Sequence, residues 1–341
     1  MPPKMKTVRF MLQINVTGLL FNPPRPSGIT IQRSGTRAQI ASLRPLEPDD
    51  DPGRQQGGML CSITRNYRLS ETQFRFIESL NCGNFNPWQH YPQDLRENCE
   101  RIRLELSREA RRFIDLLAWF FNASDLHGPF QNESMSWNTK GNSFHNINLP
   151  GLVRVLFWNS VIWHEKIEPT FVSLWKGKSD EPLSHELFRE AGSLLSSAPR
   201  SALLMLASAL ETGVKSYISQ RAPDTQWLLT EMQSPPIQKM LRKYVPKIIP
   251  ALTRDLSHWS GLKTLFDRVE KMFGQRNHLA HRGNLEITDA QLFEYKKDVS
   301  DILYVLDFLN GEQWAINNIR PETCQALKWN DPKPHVYVFK G

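Results

Sequence analysis

Near the C-terminal end of the chain, an arginine and a histidine stand five residues apart where an amphipathic helical pattern comes to a close. The segment reads Arg-Asn-His-Leu-Ala-His over residues 276–281, and Gly283 follows it as a helix-ending residue. An arginine guanidinium is a permanent cation whose forked N–H groups bind phosphate, and a histidine exchanges protons near neutral pH. These two side chains are the minimum needed to break a phosphodiester bond without a metal ion.

Helical geometry limits how Arg276 and His281 could act together. Arg276 lies seven residues after Val269 and so continues the apolar stripe, whereas Asn277 and His281 are four residues apart and share another face. Arg276 and His281 are separated by roughly 140° around the axis of a regular helix. One helix therefore cannot bring both side chains to one small group. Two copies of the helix that face each other across a two-fold axis could line one groove with both pairs.

The surrounding elements must hold this segment in place, and from Leu183 onward they are helical. Apolar residues recur there at three- and four-residue spacing, which predicts four or five amphipathic helices with short connections, as in a bundle. The fourth helix carries segment 276–281, and Thr288 with Gln291 forms a capping box that opens the last helix. Pro246 is predicted to interrupt the third helix.

The first half of the chain has a different periodicity. Residues 8–16 alternate between apolar and polar side chains, which predicts a half-buried strand. Ser70 and Gln73 form a capping box that opens a helix. Further elements are predicted in this half: strands over 29–33, 38–43, 59–64 and 102–106, a helix beginning at Ser107, and a hairpin within 134–149.

Together these patterns predict an α+β domain followed by an all-α domain. The α+β domain is assigned to residues 1–160 and a linker to residues 161–182. The helical bundle is assigned to residues 183–312, and residues 313–341 form a tail that is poorly patterned. The tail could either pack against the bundle or extend from it.

Two stretches of the predicted bundle resemble a known family. Arg276, the polar Asn277 and His281 stand at the end of its penultimate helix. Upstream, the sequence reads Phe-Arg-Glu-Ala over residues 188–191 and Pro-Arg-Ser-Ala-Leu-Leu over residues 199–204, which lead into residues 207–215. These segments are similar in sequence to the Apea-like branch of the HEPN family of prokaryotic ribonucleases and nucleotide-binding domains. The resemblance covers residues 183–312, and nothing comparable is visible in the first 160 residues.

The resemblance implies a HEPN-like helical bundle that forms a homodimer and cleaves RNA without a metal ion. The ribose 2′-OH would attack the adjacent phosphate while His281 takes its proton. Arg276 would stabilise the negative charge of the phosphorane transition state, and Asn277 would bind the phosphate or orient His281. The expected products are a 2′,3′-cyclic phosphate and a 5′-OH. Glu211, His278 and Arg282 are weaker candidates for binding RNA or orienting the site.

The resemblance also implies a biological role, with alternatives from other classes. Domains of this family serve as growth-arresting toxins or anti-phage effectors, so an antitoxin or a phage-derived trigger is a possible partner. The N-terminal domain would then act as a sensor or regulator. One alternative is a catalytically silent HEPN dimer that binds RNA or a nucleotide as a regulatory module. Another is a purely structural dimer, in which Arg276 and His281 stabilise the interface.

Composition and other motifs narrow the function further. A net charge of +7 permits a polyanionic partner without requiring one. The four cysteines form no C-x-x-C pair, and His278 and His281 lack a third ligand at useful spacing, so we expect neither a metal nor another cofactor. The N-terminus does not read as a signal peptide, and the apolar run over 202–207 is too short to span a membrane. We expect a cytoplasmic protein without membrane contact.

Overall fold

The computed structural model divides the chain into two compact units. The residues it describes are 5–17, 19–22, 29–42, 58–80, 88–123, 131–139, 144–147, 159–162, 168–177, 180–227, 236–248, 258–282 and 287–329. Of these, residues 5–117 and 131–180 belong to the first unit, and residues 118–123 and 181–329 belong to the second. The first unit is α+β, and the described part of the second is helical.

An antiparallel sheet organises the first unit. In the described part of the chain its strand order is β3-β4-β5-β1-β6-β7. The six strands are β1 (Met5–Thr17), β3 (Ile29–Arg33), β4 (Thr36–Ser42), β5 (Gly58–Ser70), β6 (Gln131–Asn138) and β7 (His145–Ile147). Strands β2 (Leu19–Asn22) and β8 (Asn159–Ile162) form a separate parallel pair. Ser34 and Gly35 join β3 to β4 with φ angles of 42° and 79°, the left-handed backbone that a two-residue hairpin turn requires.

One face of this sheet is the core of the first unit. Val8, Phe10, Leu12 and Ile14 are fully buried on β1, as their alternation with polar residues predicts. Helix α1 (Glu71–Leu80) contacts β1 and β5. The predicted strands over 29–33, 38–43 and 59–64 and the predicted hairpin are confirmed, with Met135 opposite Ile147 across β6 and β7.

Both capping boxes that the sequence predicts are confirmed. The backbone N–H of Gln73 donates to Ser70 Oγ at 3.3 Å, and the Ser70 N–H donates to Gln73 Oε1 at 3.2 Å. The same reciprocal pair joins Thr288 and Gln291 at 3.1 and 3.2 Å. Each box satisfies N–H groups that the first turn of a helix leaves without a partner.

The strand predicted over 102–106 and the helix start predicted at Ser107 are wrong. Both lie inside one 28-residue helix, α2 (Gln93–Phe120). Ile102 and Leu106 are fully buried, but Leu104 between them is 47% exposed. The apparent alternation therefore arises because Leu104 stands on the solvent side of a helix whose buried residues recur every three or four positions.

The predicted linker over 161–182 contains a further helix, α3 (Glu168–Lys176). Its Phe171 and Trp175 are fully buried and pack edge-on against Phe113 of α2, with ring centroids 5.4 Å apart in each case. Arg112 donates to the carbonyl of Gly177 at 3.0 Å directly after this helix. The predicted domain bounds remain predictions.

The second unit contains the end of α2 and the short 3-10 helices Pro223–Thr225, Trp259–Leu262 and Gln313–Asn318. Six further helices make up most of its described part. They are α4 (Leu183–Leu194), α5 (Pro199–Arg221), α6, α7 (Lys263–Arg282), α8 (Asp289–Asn310) and α9 (Pro321–Ala326). Helix α6 consists of three consecutive segments, Ile237–Lys239, Met240–Tyr244 and Val245–Ile248. Helix α5 packs against α4, α7 and α8. The part of the predicted tail up to residue 329 packs as well, since Trp314, Cys324 and Leu327 are buried.

Pro246 does not interrupt α6, because the middle segment of this helix is a π-helix. The N–H of Val245 bonds to the carbonyl of Met240, five residues back. The next carbonyl, that of Leu241, would need the N–H of residue 246, and Pro246 has none. Trp259 supplies the missing donor, since its Nε1–H lies 2.8 Å from the Leu241 oxygen.

We expect Trp259→Phe to destabilise the protein by about 1–3 kcal/mol, because the Leu241 carbonyl would be buried without a donor. Trp227→Phe is the matched control, since Trp227 is 59% exposed whereas Trp259 is 5% exposed. Urea unfolding followed by circular dichroism measures the difference. Equal unfolding midpoints for the two variants would contradict a structural role for the indole hydrogen bond.

Candidate functional site

Helix α7 positions the Arg-x4-His segment. Its buried stripe consists of Leu265, Phe266, Val269, Met272 and Leu279. This spacing of three, four and seven residues keeps one face of the helix against the rest of the unit. The segment 276–281 is helical throughout, and α7 ends at Arg282, one residue before Gly283.

Arg276 continues the buried stripe and is half-buried between Met272 and Leu279. Its Nη1 group donates to Asn277 Oδ1 at 3.1 Å. The guanidinium is therefore anchored on one side by an amide and keeps its other N–H groups for a further acceptor. An arginine carries five N–H donors, and a phosphate oxygen is a geometrically suitable acceptor.

The remaining polar residues of the segment lie on the solvent side. Asn277, His278 and His281 are exposed, and Asn277 and His281 share a face because they are four residues apart. No hydrogen bond joins Arg276 to His281, both of which are described residues. The backbone of Arg282 ends α7, and its side chain lies outside the part of the chain that the structure describes.

Glu211, the weaker candidate on α5, is engaged within its own helix. Its Oε1 forms an ion pair with Lys215 Nζ, one helical turn further along α5, at 2.8 Å. No hydrogen bond or ion pair connects Glu211 with Arg276, Asn277 or the two histidines, all of which lie in the described part of the chain. Of the predicted site residues, the structure thus brings Arg276 and Asn277 into contact and leaves Glu211 apart.

A buried ionic network holds α7 against α8. Arg268 on α7 donates two hydrogen bonds to Asp298 on α8, at 2.6 and 2.7 Å, in the bidentate arrangement that guanidinium and carboxylate favour. Arg320 donates to Asp298 at 2.7 Å and to Asp301 at 2.8 Å. Both carboxylates are 1% exposed, whereas the side chains of Arg268 and Arg320 are 37% and 27% exposed. Two buried carboxylates are thus paired with guanidinium groups that reach the surface.

The charge state of this network follows from burial and pairing. Burial raises the pKa of Asp301, while Arg320 and the Thr323 hydroxyl act in the opposite direction. Hydrogen bonding to Asp298 raises the pKa of Arg268. Such pairs join α7 to α8, and removal of a carboxylate would leave two guanidinium groups that reach water only in part.

Sequence reasoning missed this network, although one signal was present. Asp298 and Asp301 stand three residues apart on α8, within a run of buried residues from Asp298 to Leu309. Carboxylates at such positions require cationic partners. The partners Arg268 and Arg320 are 30 and 22 residues away from Asp298 in sequence, so no local pattern identifies them.

A further histidine, His185 on α4, lies close to a carboxylate but is buried and inaccessible to a substrate. Its Nε2 is 2.7 Å from Asp307 Oδ2, and Trp119 Nε1 donates to the same oxygen at 2.9 Å. His185 is 2% exposed, and its ring packs on Tyr304 with centroids 4.7 Å apart. This cluster packs the interior of the second unit.

Two properties of the described residues complete the description of the site. They contain no group of three histidine, cysteine, aspartate or glutamate side chains placed to hold a metal ion. No helix among them is both long enough and apolar enough to cross a membrane.

Comparison of the sequence with protein-family models and with curated proteins, and of the fold with solved structures, found no match.

Proposed function

We propose that this protein is a metal-independent endoribonuclease of the HEPN type, with Arg276, Asn277 and His281 as its catalytic residues. The observation that carries the proposal is the arrangement on α7. A guanidinium held by the Asn277 amide lies next to an exposed face that presents His281. Phosphate binding and proton transfer are the two tasks that such a pair performs.

The chemistry needs three roles. His281 removes the proton of a ribose 2′-OH, whose oxygen then attacks the adjacent phosphorus. Arg276 binds the equatorial oxygens of the phosphorane, where negative charge accumulates in the transition state. Asn277 positions the Arg276 guanidinium through the hydrogen bond between them. The bond from phosphorus to the 5′ oxygen breaks, and that oxygen takes a proton from solvent water. The products are a 2′,3′-cyclic phosphate and a 5′-OH.

The proposal requires two copies of the chain. Arg276 is half-buried and His281 is exposed on different sides of α7, so the pair of one chain does not converge on one phosphate. Two α7 helices related by a two-fold axis would place the arginine of one copy near the histidine of the other. The exposed surface around Asn277 and Gly274 leaves room for such an approach, since nothing lies within 4 Å of the position of an added Gly274 Cβ. A homodimer is therefore part of the proposal.

A role as a toxin-like or anti-phage effector, restrained by an antitoxin or released by a phage-derived trigger, is proposed from the resemblance to the family alone. The first unit would then sense or regulate. A silent dimer that binds RNA or a nucleotide through the same residues is the alternative, and cleavage distinguishes the two.

The proposed reaction gives a direct test. Purified full-length protein should cleave single-stranded RNA in the presence of EDTA and leave 2′,3′-cyclic phosphate ends. The same sequence with 2′-O-methyl groups should remain intact, because it lacks the attacking hydroxyl. Cleavage that requires a divalent cation, or that proceeds on the 2′-O-methyl strand, would contradict the mechanism. Light scattering should report a dimer, and a monomer at micromolar concentration would remove the shared site.

A further inference from the structure

The polar face of the sheet in the first unit has an unusual composition. Residues opposite one another in the strand register belong to the same face of a sheet. One row across the sheet runs through Gln32, Arg37, Thr64, Met11 and Ser136. The row beside it runs through Thr30, Gln39, Ser62, Gln13 and Ser134. Amides and hydroxyls therefore cover most of this face.

Three arginines give this polar face its charge. Arg37 lies in the first row, Arg9 lies opposite Asn66, and Arg68 lies opposite Thr7. All three arginines are exposed. Among the described residues the face carries no aspartate or glutamate, so its positive charge is not neutralised there.

The positive charge of other arginines in the same unit is neutralised by nearby carboxylates. Arg75 pairs with Glu71 at 3.2 Å, and Arg101 pairs with Glu105 at 2.6 Å. Arg103 pairs with Glu100 at 2.6 Å. These helical arginines have local carboxylate partners, whereas no carboxylate of the described residues pairs with Arg9 or Arg68, and Arg37 donates to the hydroxyl of Thr30 at 3.4 Å. Cations that a fold leaves unneutralised on one face are available to an anionic ligand.

Sheet geometry sets the spacing of these charges. Arg9 and Arg68 stand on neighbouring strands one row apart, which places their Cα atoms about 8 Å from each other. Arg37 stands two strands from Arg9 and one row away, at about 12 Å. Three cations spread over three strands suit a ligand that carries repeated negative charges.

We propose that this face, defined by Arg9, Arg37 and Arg68, binds the sugar-phosphate backbone of single-stranded RNA. The arginines contact phosphates, and the exposed side chains of Thr30, Gln32 and Asn66 reach ribose and base edges. Ser62 and Ser136 on the same face are buried and take no part. Accessible base edges are a property of unpaired RNA, because the deep groove of an RNA duplex hides them. The face has no aromatic side chain among its described residues, so binding there depends on phosphate and polar contacts and not on base stacking. The choice of RNA rests on the proposed function.

The test measures binding in the absence of cleavage. Full-length protein in EDTA is titrated against a fluorescent single-stranded 2′-O-methyl RNA, which has no 2′-OH to attack, at several salt concentrations. The triple variant Arg9→Gln, Arg37→Gln, Arg68→Gln should bind at least tenfold more weakly at low salt. The slope of log affinity against log salt should fall by about 2 in magnitude, since each phosphate contact of a single strand contributes about 0.7.

The matched control is the triple variant Arg75→Gln, Arg101→Gln, Arg103→Gln, which removes the same net charge from paired positions of the same unit. Its salt slope should stay within about 0.5 of the wild-type value. An equal loss in both triple variants, or no loss in the first, would overturn the proposal. Each single substitution of the face should lower the slope by about 0.7, which keeps the test decisive if the triple variant does not fold.

The result separates this inference from the proposed function. Binding that depends on the three arginines without RNA cleavage would leave the face as an RNA site and remove the nuclease. Cleavage by a protein whose RNA affinity does not depend on these arginines would support the nuclease and remove the face as an RNA site. Competition by polyglutamate that matches competition by unlabelled RNA, or tighter binding to vesicles rich in anionic lipid, would overturn RNA as the partner.

Discussion

An equimolar mixture of the Arg276→Ala and His281→Ala variants is expected to cleave RNA at about a quarter of the wild-type rate, although neither variant alone is active. Random pairing makes half of the dimers mixed. Each mixed dimer contains one site with both an arginine and a histidine, contributed by different copies, and one site with neither. The separation of Arg276 and His281 on α7 makes such sharing between copies necessary for the proposed reaction.

The losses expected of the single variants follow from the roles of the side chains. Removal of a donor that stabilises transition-state charge costs about 10²–10³ in rate. Removal of the general base costs about 10²–10⁴. Initial rates on a labelled RNA measure both losses, and light scattering checks that each variant remains a dimer.

Two controls sharpen the mixing experiment. The double variant Arg276→Ala, His281→Ala mixed with either single variant should show no rescue, because no site can then hold both groups. Glu211→Gln should keep at least half of the wild-type rate, since Glu211 pairs with Lys215 in its own helix. Absence of rescue in verified mixed dimers would place the site within one chain or elsewhere in the protein.

The second large effect concerns stability. Asp298→Ala is expected to lower the free energy of unfolding by about 2–3 kcal/mol, because Arg268 and Arg320 would lose a buried carboxylate that accepts three of their hydrogen bonds. The loss stays below that of a fully buried charge, since water reaches both guanidinium groups. For a unit of this size the melting temperature should fall by roughly 4–12 °C. Thermal unfolding followed by circular dichroism provides the measurement.

Glu294→Ala serves as the matched control for Asp298→Ala. Glu294 stands one turn earlier on α8 and its side chain is 50% exposed. It pairs with Lys297 at 2.7 Å and lies 3.8 Å from Arg320, so it tests an exposed carboxylate beside the same arginine. An exposed pair of this kind contributes about 0–1 kcal/mol. If the two variants melted together, the network around Asp298 would not be what holds α7 in place, and the support that it gives to the candidate site would have to be sought elsewhere.

The candidate site was visible in the sequence because its signals are local. The spacing of Val269, Met272 and Arg276 predicts one helical face, and α7 carries that face as expected. The capping boxes at Ser70 and Thr288 are equally local, since each depends on two residues three positions apart. The hydrogen bond between Arg276 and Asn277 joins neighbours, yet only the structure selects that partner over solvent.

Predictions failed where a short pattern has two interpretations. The alternation of Ile102, Leu104 and Leu106 is compatible with a strand, but α2 buries the first and third and exposes Leu104. Pro246 is a helix breaker by its chemistry, but a π-turn together with the indole of Trp259 satisfies the carbonyl that it leaves open. In both cases contacts from outside the segment decided the outcome.

By itself, the sequence determined the periodicity of each element, the caps of two helices and the chemical types present at the candidate site. Tertiary structure alone decided which charges are neutralised. It pairs Arg268 with Asp298 and Arg320 with Asp301, and it collects Arg9, Arg37 and Arg68 from three strands on one face without a described carboxylate. The physical reason is the separation along the chain over which each effect acts. Periodicity reports which side of one element avoids water, whereas ion pairing depends on packing between elements that are far apart in the chain.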